Sequence, residues 1–189
     1  KLVLLCLVIA FNFSGFFLYV VSAPAVIYDL LHLSGKDFAW LFVPGISGVM
    51  FGAFLSGRLA GRLSPRRTVF TGYLIMACAA VFNLGYSLIF PPALPWTVLP
   101  VMVYTVGMAL AMPSVSLLAL DLFPQLRGMT SSLQGFAHSL FGGLTAGVVS
   151  PLLSHSALML ACGMGGMALL GGLAWLLYLR VTAVTASSR

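Results

Sequence analysis

Six long apolar runs, at about 2–23, 38–57, 68–90, 97–118, 129–149 and 157–179, govern what this chain can become. A bilayer core about 30 Å thick is crossed by roughly 20 residues of helix, and each run is near that length. Backbone N–H and C=O groups find no water in hydrocarbon, so a spanning segment must be a helix or a strand of a closed barrel. Barrel strands would alternate apolar and polar residues over about ten positions, and no such pattern occurs. The runs are separated by Ser34-Gly35-Lys36-Asp37, by the basic stretch through Arg67, by Pro91-Pro92-Ala93-Leu94-Pro95, by Phe123-Pro124-Gln125-Leu126-Arg127-Gly128 and by Ser150-Pro151 through Ser156. Each break combines turn formers, charge or proline, which end a helix where its terminal groups reach water. The expected fold is an all-α membrane bundle of six transmembrane helices over 1–180, with a cytoplasmic tail at 181–189.

Composition agrees. Only 6% of the residues are charged and 61% are hydrophobic, with a mean hydropathy of +1.11; soluble domains carry about 25% charged residues. The net charge of +6 raises the question of nucleic acid, but the basic residues stand between apolar runs rather than over a solvated face. Their placement reads instead as topology. With six spans, one side of the membrane receives Lys1, Arg58, Arg62, Arg66, Arg67, Arg127, Arg180 and Arg189, and the other receives Lys36 alone. Both termini are therefore expected in the cytoplasm. Cys6, Cys78 and Cys162 lie within apolar runs, which points to packing rather than disulfides. No metal-ligand spacing occurs among the three His and three Cys. The chain opens at the edge of a run, without Met or a cleavable leader, and reads as part of a longer protein.

Asp29-Leu30-Leu31-His32-Leu33-Ser34-Gly35 follows the first run, and Asp121-Leu122-Phe123-Pro124-Gln125-Leu126-Arg127-Gly128 follows the fourth, 92 residues later and on the opposite side. Two inverted three-helix repeats of this kind build each half of a major-facilitator transporter. The loop after the second run, Gly57-Arg58-Leu59-Ala60-Gly61-Arg62-Leu63-Ser64-Pro65-Arg66-Arg67, is similar to the major-facilitator signature G-x-L-a-D-R-x-G-r-R-R. Gly61 stands where that family has Asp, and Ser64 where it has Gly. Four further stretches narrow the likeness: Phe16–Pro24 closing the first run, Phe38–Pro44 opening the second, Gly107–Ser114 in the fourth and Arg127–Gly135 starting the fifth. Together they resemble the carboxyl half, spans seven to twelve, of the Bcr/CflA (bicyclomycin-resistance) subfamily of drug:proton antiporters, over about 1–180.

That resemblance implies secondary active transport: multidrug efflux of small amphiphilic drug-like substrates in exchange for protons, across a bacterial inner membrane, with no cofactor. It also implies an amino-terminal six-span half beyond these residues. None of the three Asp lies in a run, so the coupling carboxylates are expected in that other half.

Small residues spaced by four mark close helix contacts in lipid. The second run carries Gly48, Gly52 and Ser56, and the fifth carries Gly135, Ser139, Gly143, Gly147 and Pro151; both are expected to pack. Pro113 falls inside the fourth run, where a kink is expected. Polar groups in hydrocarbon turn to the bundle interior. By the 3.6 period Asn12, Phe16, Tyr19 and Ser22 share one face of the first helix, and Gln134, His138, Phe141 and Thr145 one face of the fifth. The fourth adds Tyr104, Met108 and Met112. Asn12, Phe16, Tyr19, Tyr104, Met108, Gln134 and His138 are the candidate substrate-binding residues, since amphipathic aromatics and Met suit an adaptable pocket. The resemblance makes the first, fourth and fifth helices the pocket-lining ones. Asn83 is expected to bond to a neighbouring helix.

His138 is the one His deep within a run, with an intrinsic pKa suited to proton handling. An alternative class is open as well. Gly45-Ile46-Ser47-Gly48 matches the G-x-S-G of rhomboid-type intramembrane serine proteases, with His138 as a possible base. Against it, the His lies three spans after the Ser rather than two, and the supporting His-x-x-x-Asn motif is missing. A complete six-span channel or carrier is a third reading, but the chain has no charged or carbonyl-rich filter sequence.

Overall fold

The computed structural model describes residues 1–187 of the chain, with side chains through Val184; Arg189, counted above with the basic side, lies outside the described residues. Every described element is helical, and six helices are long and apolar enough to cross a membrane. They are α1 (Leu2–Val21), α2 (Ala39–Leu59), α3 (Pro65–Ile89), α4 (Leu99–Asp121), α5 (Arg127–Leu144) and α6 (Ala157–Ser187). A π-helical turn, Thr145–Val149, extends α5 into a last α-turn at Ser150–Leu153, and a second π-helical segment, Ala25–Leu30, follows α1. The first helix thus stops at Val21 rather than Ala23. The last continues to Ser187, so residues 181–187 are helical and continuous with α6.

The helix starts follow local chemistry. Pro65 sits in the first turn of α3 after extended Ser64, and Pro100 in the first turn of α4; there a missing N–H costs nothing. Before α2, Ser34 and Asp37 form a capping box: the Ser34 hydroxyl and backbone N–H both donate to Asp37 Oδ2, at 2.7 and 3.0 Å. Between α2 and α3, Gly61 adopts φ +78°. This left-handed conformation suits glycine, which gives a backbone reason for Gly61 at this turn.

Two helices form the centre. In their most apolar windows α1 is 56% buried and α4 50%, against 17–33% for the other four. α4 packs between α2 and α3; α1 packs between α5 and α6; α1 also meets α4, and α3 meets α6. Missing side chains allow these approaches. A Cβ on Gly48 would strike Thr105 Oγ1 and the Met102 carbonyl, and one on Gly52 the Val106 carbonyl. On the other flank, a Cβ on Gly72 would lie 2.6 Å from the Gly107 carbonyl. The small stripe of α2 is therefore buried against α4, as the sequence indicates.

The stripe of α5 has no packing partner among the described residues. Gly135, Ser139, Gly143, Gly147 and Pro151 are all exposed, and a Cβ on Gly135, Gly143 or Gly147 would meet nothing within 4 Å. Its four-residue spacing reports a small-residue face, not what covers it. Similarly, Cys6 is buried, but Cys78 and Cys162 are exposed, so only the first packs in the interior. Large apolar side chains such as Phe54, Phe70 and Val81 also face outward, at 57, 66 and 72% exposure. A surface this apolar is stable in lipid and unfavourable in water.

Candidate functional site

The polar groups of the central helices meet each other. Tyr104 donates through its hydroxyl to the backbone carbonyl of Asn12 at 3.1 Å, and Tyr73 on α3 donates to Asn12 Oδ1 at 2.8 Å. Gly15 leaves room for this crossing, since a Cβ there would fall on the Tyr104 hydroxyl. Gly171 of α6 closes the other side, where a Cβ would lie 2.5 Å from Asn12 Oδ1. Residues from α3, α4 and α6 thus converge on Asn12 of α1, at its side-chain and main-chain oxygens. Further along α1, Asn83 donates to the Tyr19 hydroxyl at 2.7 Å, which is the helix–helix bond expected of Asn83. At the end of α1 the hydroxyls of Ser22 and Ser150 are 2.8 Å apart, joining it to the last turn of α5. Interhelical bonds of this type stabilise by about 0.6 kcal/mol on average. Among the described residues, the buried Asn12 Nδ2, Ser14 Oγ and Gln134 Nε2 have no hydrogen-bond partner.

The seven sequence-derived site residues consequently separate into two groups. Asn12, Tyr19, Tyr104 and Met108 are buried between helices, at 0, 2, 0 and 5% exposure. Gln134 is also buried, its Oε1 accepting a 2.8 Å bond from Ser116 of α4. Phe16 and His138 are half-buried at the margin. Phe16 lies beside α2, with its ring 3.3 Å from where a Cβ of Gly45 would sit, whereas His138 lies beside α1. The shared faces inferred from periodicity do turn inward, but much of the α1 face is occupied by neighbouring helices.

The accessible chemistry lies one step around α1. Phe17 and Phe13, one turn apart, stack with centroids 5.0 Å apart and planes 22° apart. His138 of α5 continues the series, 3.8 Å from Phe13 at 34°. Phe141, one turn beyond His138, meets Phe11 edge-on at 4.9 Å. All five rings are half-buried. Gly142 lies behind them: a Cβ there would be 3.8 Å from Phe17 and 3.9 Å from Phe13, in ordinary van der Waals contact. Phe11, Phe13, Phe17 and the half-buried Tyr73 are absent from the sequence-derived set. The four-residue spacing of Phe13 and Phe17 is the signal that could have marked them.

A separate apolar cleft of about 290 Å³ opens at the basic end of the bundle, lined by Leu2, Phe123, Leu126, Met129, Thr130 and Leu133. Beside it Arg127 pairs with Asp121 at 3.2 Å, both well exposed, where such a pair adds little stability. Among the described residues no three His, Cys, Asp or Glu side chains converge as a metal site would require. His138 contacts Phe13, and no hydrogen bond joins it to Ser47 among the described residues. No family model, no curated protein and no solved structure matches the chain. Its functional reading therefore rests on residues and geometry.

Proposed function

We propose that this chain is the carboxyl-terminal six-helix half of a major-facilitator drug:proton antiporter, which exports small amphiphilic compounds across a bacterial inner membrane with both termini cytoplasmic. The observation that carries the reading is the packing pattern. Exchanging α1 with α4, α2 with α5 and α3 with α6 maps the principal helix contacts onto one another: α4 between α2 and α3 becomes α1 between α5 and α6, while α1–α4 and α3–α6 map onto themselves. An inverted three-helix repeat predicts this relation. The same offset recurs in detail. Asn12 and Tyr104, joined at the α1–α4 crossing, stand 92 residues apart, as do the two Asp-Leu segments and the glycines Gly15 and Gly107.

Two further features favour a half-transporter. The exposed small-residue stripe of α5 has the character of a helix-packing face without a helix on it. No carboxylate lies within the apolar runs, Asp121 standing exposed at the last position of α4, so in this reading proton coupling draws on groups from another part of the transporter. In this reading the aromatic face between α1 and α5 borders the central cavity, and the buried Asn12 junction holds the half together as a rigid body.

Drug susceptibility and efflux in cells expressing the full protein test the proposal. The expected result is reduced drug accumulation that collapses when a protonophore removes the gradient. Unchanged accumulation across a chemically broad panel would overturn it.

A further inference from the structure

We infer that the turn joining α2 to α3 binds an anionic phospholipid from the leaflet at the basic end of the bundle. Its phosphate is held by arginines of the turn, and an acyl chain lies along the helix beneath them. The inference requires helices that span a membrane; it does not require transport.

Arg58, Arg62, Arg66 and Arg67 fall within ten residues and are all exposed. No Asp or Glu occurs between residues 38 and 120. Among the described residues none of the four guanidinium groups joins an ion pair or a hydrogen bond. The chain reverses tightly here: Gly61 takes φ +78°, and the backbone N–H groups of Arg62 and Leu63 both donate to the Leu59 carbonyl, at 3.0 and 3.1 Å. The turn therefore holds four like charges together without a counter-charge. A phosphate relieves their repulsion, and a guanidinium presents paired N–H donors that match its oxygens. Elsewhere at this end Arg127 is already paired with Asp121, and Arg180 is the sole basic residue of α6.

The surface beside the charges selects a lipid over a soluble anion. The Arg58 guanidinium lies over the Phe54 ring, 5.0 Å from its centroid, so the charge sits where the polar end of α2 meets its apolar side. Phe54, Met50 and Ile46 continue from Arg58 at four-residue steps, and all are exposed. On α3, Phe70 and Leu74 continue from Arg66 at the same step and are exposed as well. Residues four apart are neighbours on one helix face, so each stripe runs from a guanidinium toward the middle of its span. A phospholipid has the same order, with charge at the interface and hydrocarbon below it. An acidic protein segment would match the arginines alone.

Photolabelling tests the site: phosphatidylglycerol with a diazirine on one acyl chain is titrated into phosphatidylcholine nanodiscs holding the full protein, and peptide mapping reads the label. Saturable labelling is expected at 46–54 or 70–74, displaced by unlabelled phosphatidylglycerol and not by glycerol phosphate. Arg58→Gln and Arg66→Gln should each raise the half-saturating mole fraction about fivefold, whereas Arg180→Gln should hold it within about twofold. Should either variant fail to fold, Arg62→Gln at the exposed turn takes its place. Labelling that never saturates, or that Arg180→Gln weakens equally, would mean diffuse attraction to the membrane surface and overturn the site. Displacement by glycerol phosphate would mean a soluble anion. No label at either segment of a folded protein would mean that another part of the protein covers the turn. Either of these results also overturns the inference.

Discussion

Two stripes of small residues with the same four-residue spacing meet different fates in this bundle. On α2, Gly48, Gly52 and Ser56 lie buried against α4, and the backbones approach so closely that a methyl group at either glycine would strike a carbonyl. On α5, Gly135, Gly143 and Gly147 face outward with nothing within reach of a Cβ. The spacing is a statement about one helix surface; whether it is used depends on what stands opposite. In lipid, where apolar side chains gain little by leaving the solvent, close backbone packing is a main source of helix association. A helix that keeps such a face open retains the means to associate again.

The contrast can be broken most forcefully at its buried end. Gly48→Leu forces a branched side chain into Thr105 and the Met102 carbonyl, and backbone cannot retreat as a side-chain tip can. A loss of about 3 kcal/mol is expected, seen as aggregation during size-exclusion chromatography or a large fall in melting temperature in detergent. A Gly48→Leu protein that melts like the parent would show that α2 and α4 are not in close contact. A smaller effect is expected from Thr105→Val, which keeps the shape but removes the hydroxyl that bonds the Gly45 carbonyl of α2 at 3.0 Å. The cost should be about 1 kcal/mol, measured by the same melts. Away from the stripe, Tyr73→Phe deletes the bond to Asn12 Oδ1 and should cost about 0.6 kcal/mol.

The smallest effect on folding belongs to the open stripe. Gly143→Leu should change the melting temperature of the chain by less than the equivalent of about 0.5 kcal/mol. The same substitution should impair drug efflux by the full protein if a second bundle packs on that face. Equal melting with reduced efflux would sharpen the comparison into a functional one; a large fall in melting temperature would show that α5 is covered from within.

These outcomes bear on what was legible in the residues. Six helices, their separating loops and the basic end followed from hydropathy, proline and arginine placement, because membrane thickness and backbone satisfaction allow few alternatives. Periodicity also assigned Asn12, Tyr19 and Gln134 correctly to inward faces. It could not say that Tyr73 and Asn83 of α3 would meet the first two, since a face pattern contains no information about the partner helix. For the same reason periodicity does not single out Phe13 and Phe17: they lie beside the face bearing the polar residues, and the contact of Phe13 with His138 depends on where α5 packs.

The bond from Tyr104 ends on a main-chain oxygen, and that has a consequence for how this protein can drift. Whatever residue occupies position 12, its carbonyl remains, so substitution of Asn12 deletes the Tyr73 partner without removing the acceptor at the α1–α4 crossing. Position 15 has no such latitude, because a Cβ there collides with the Tyr104 hydroxyl. The polar residue that advertises the junction is thus its more replaceable member, and the inconspicuous glycine one turn away is the one least free to vary.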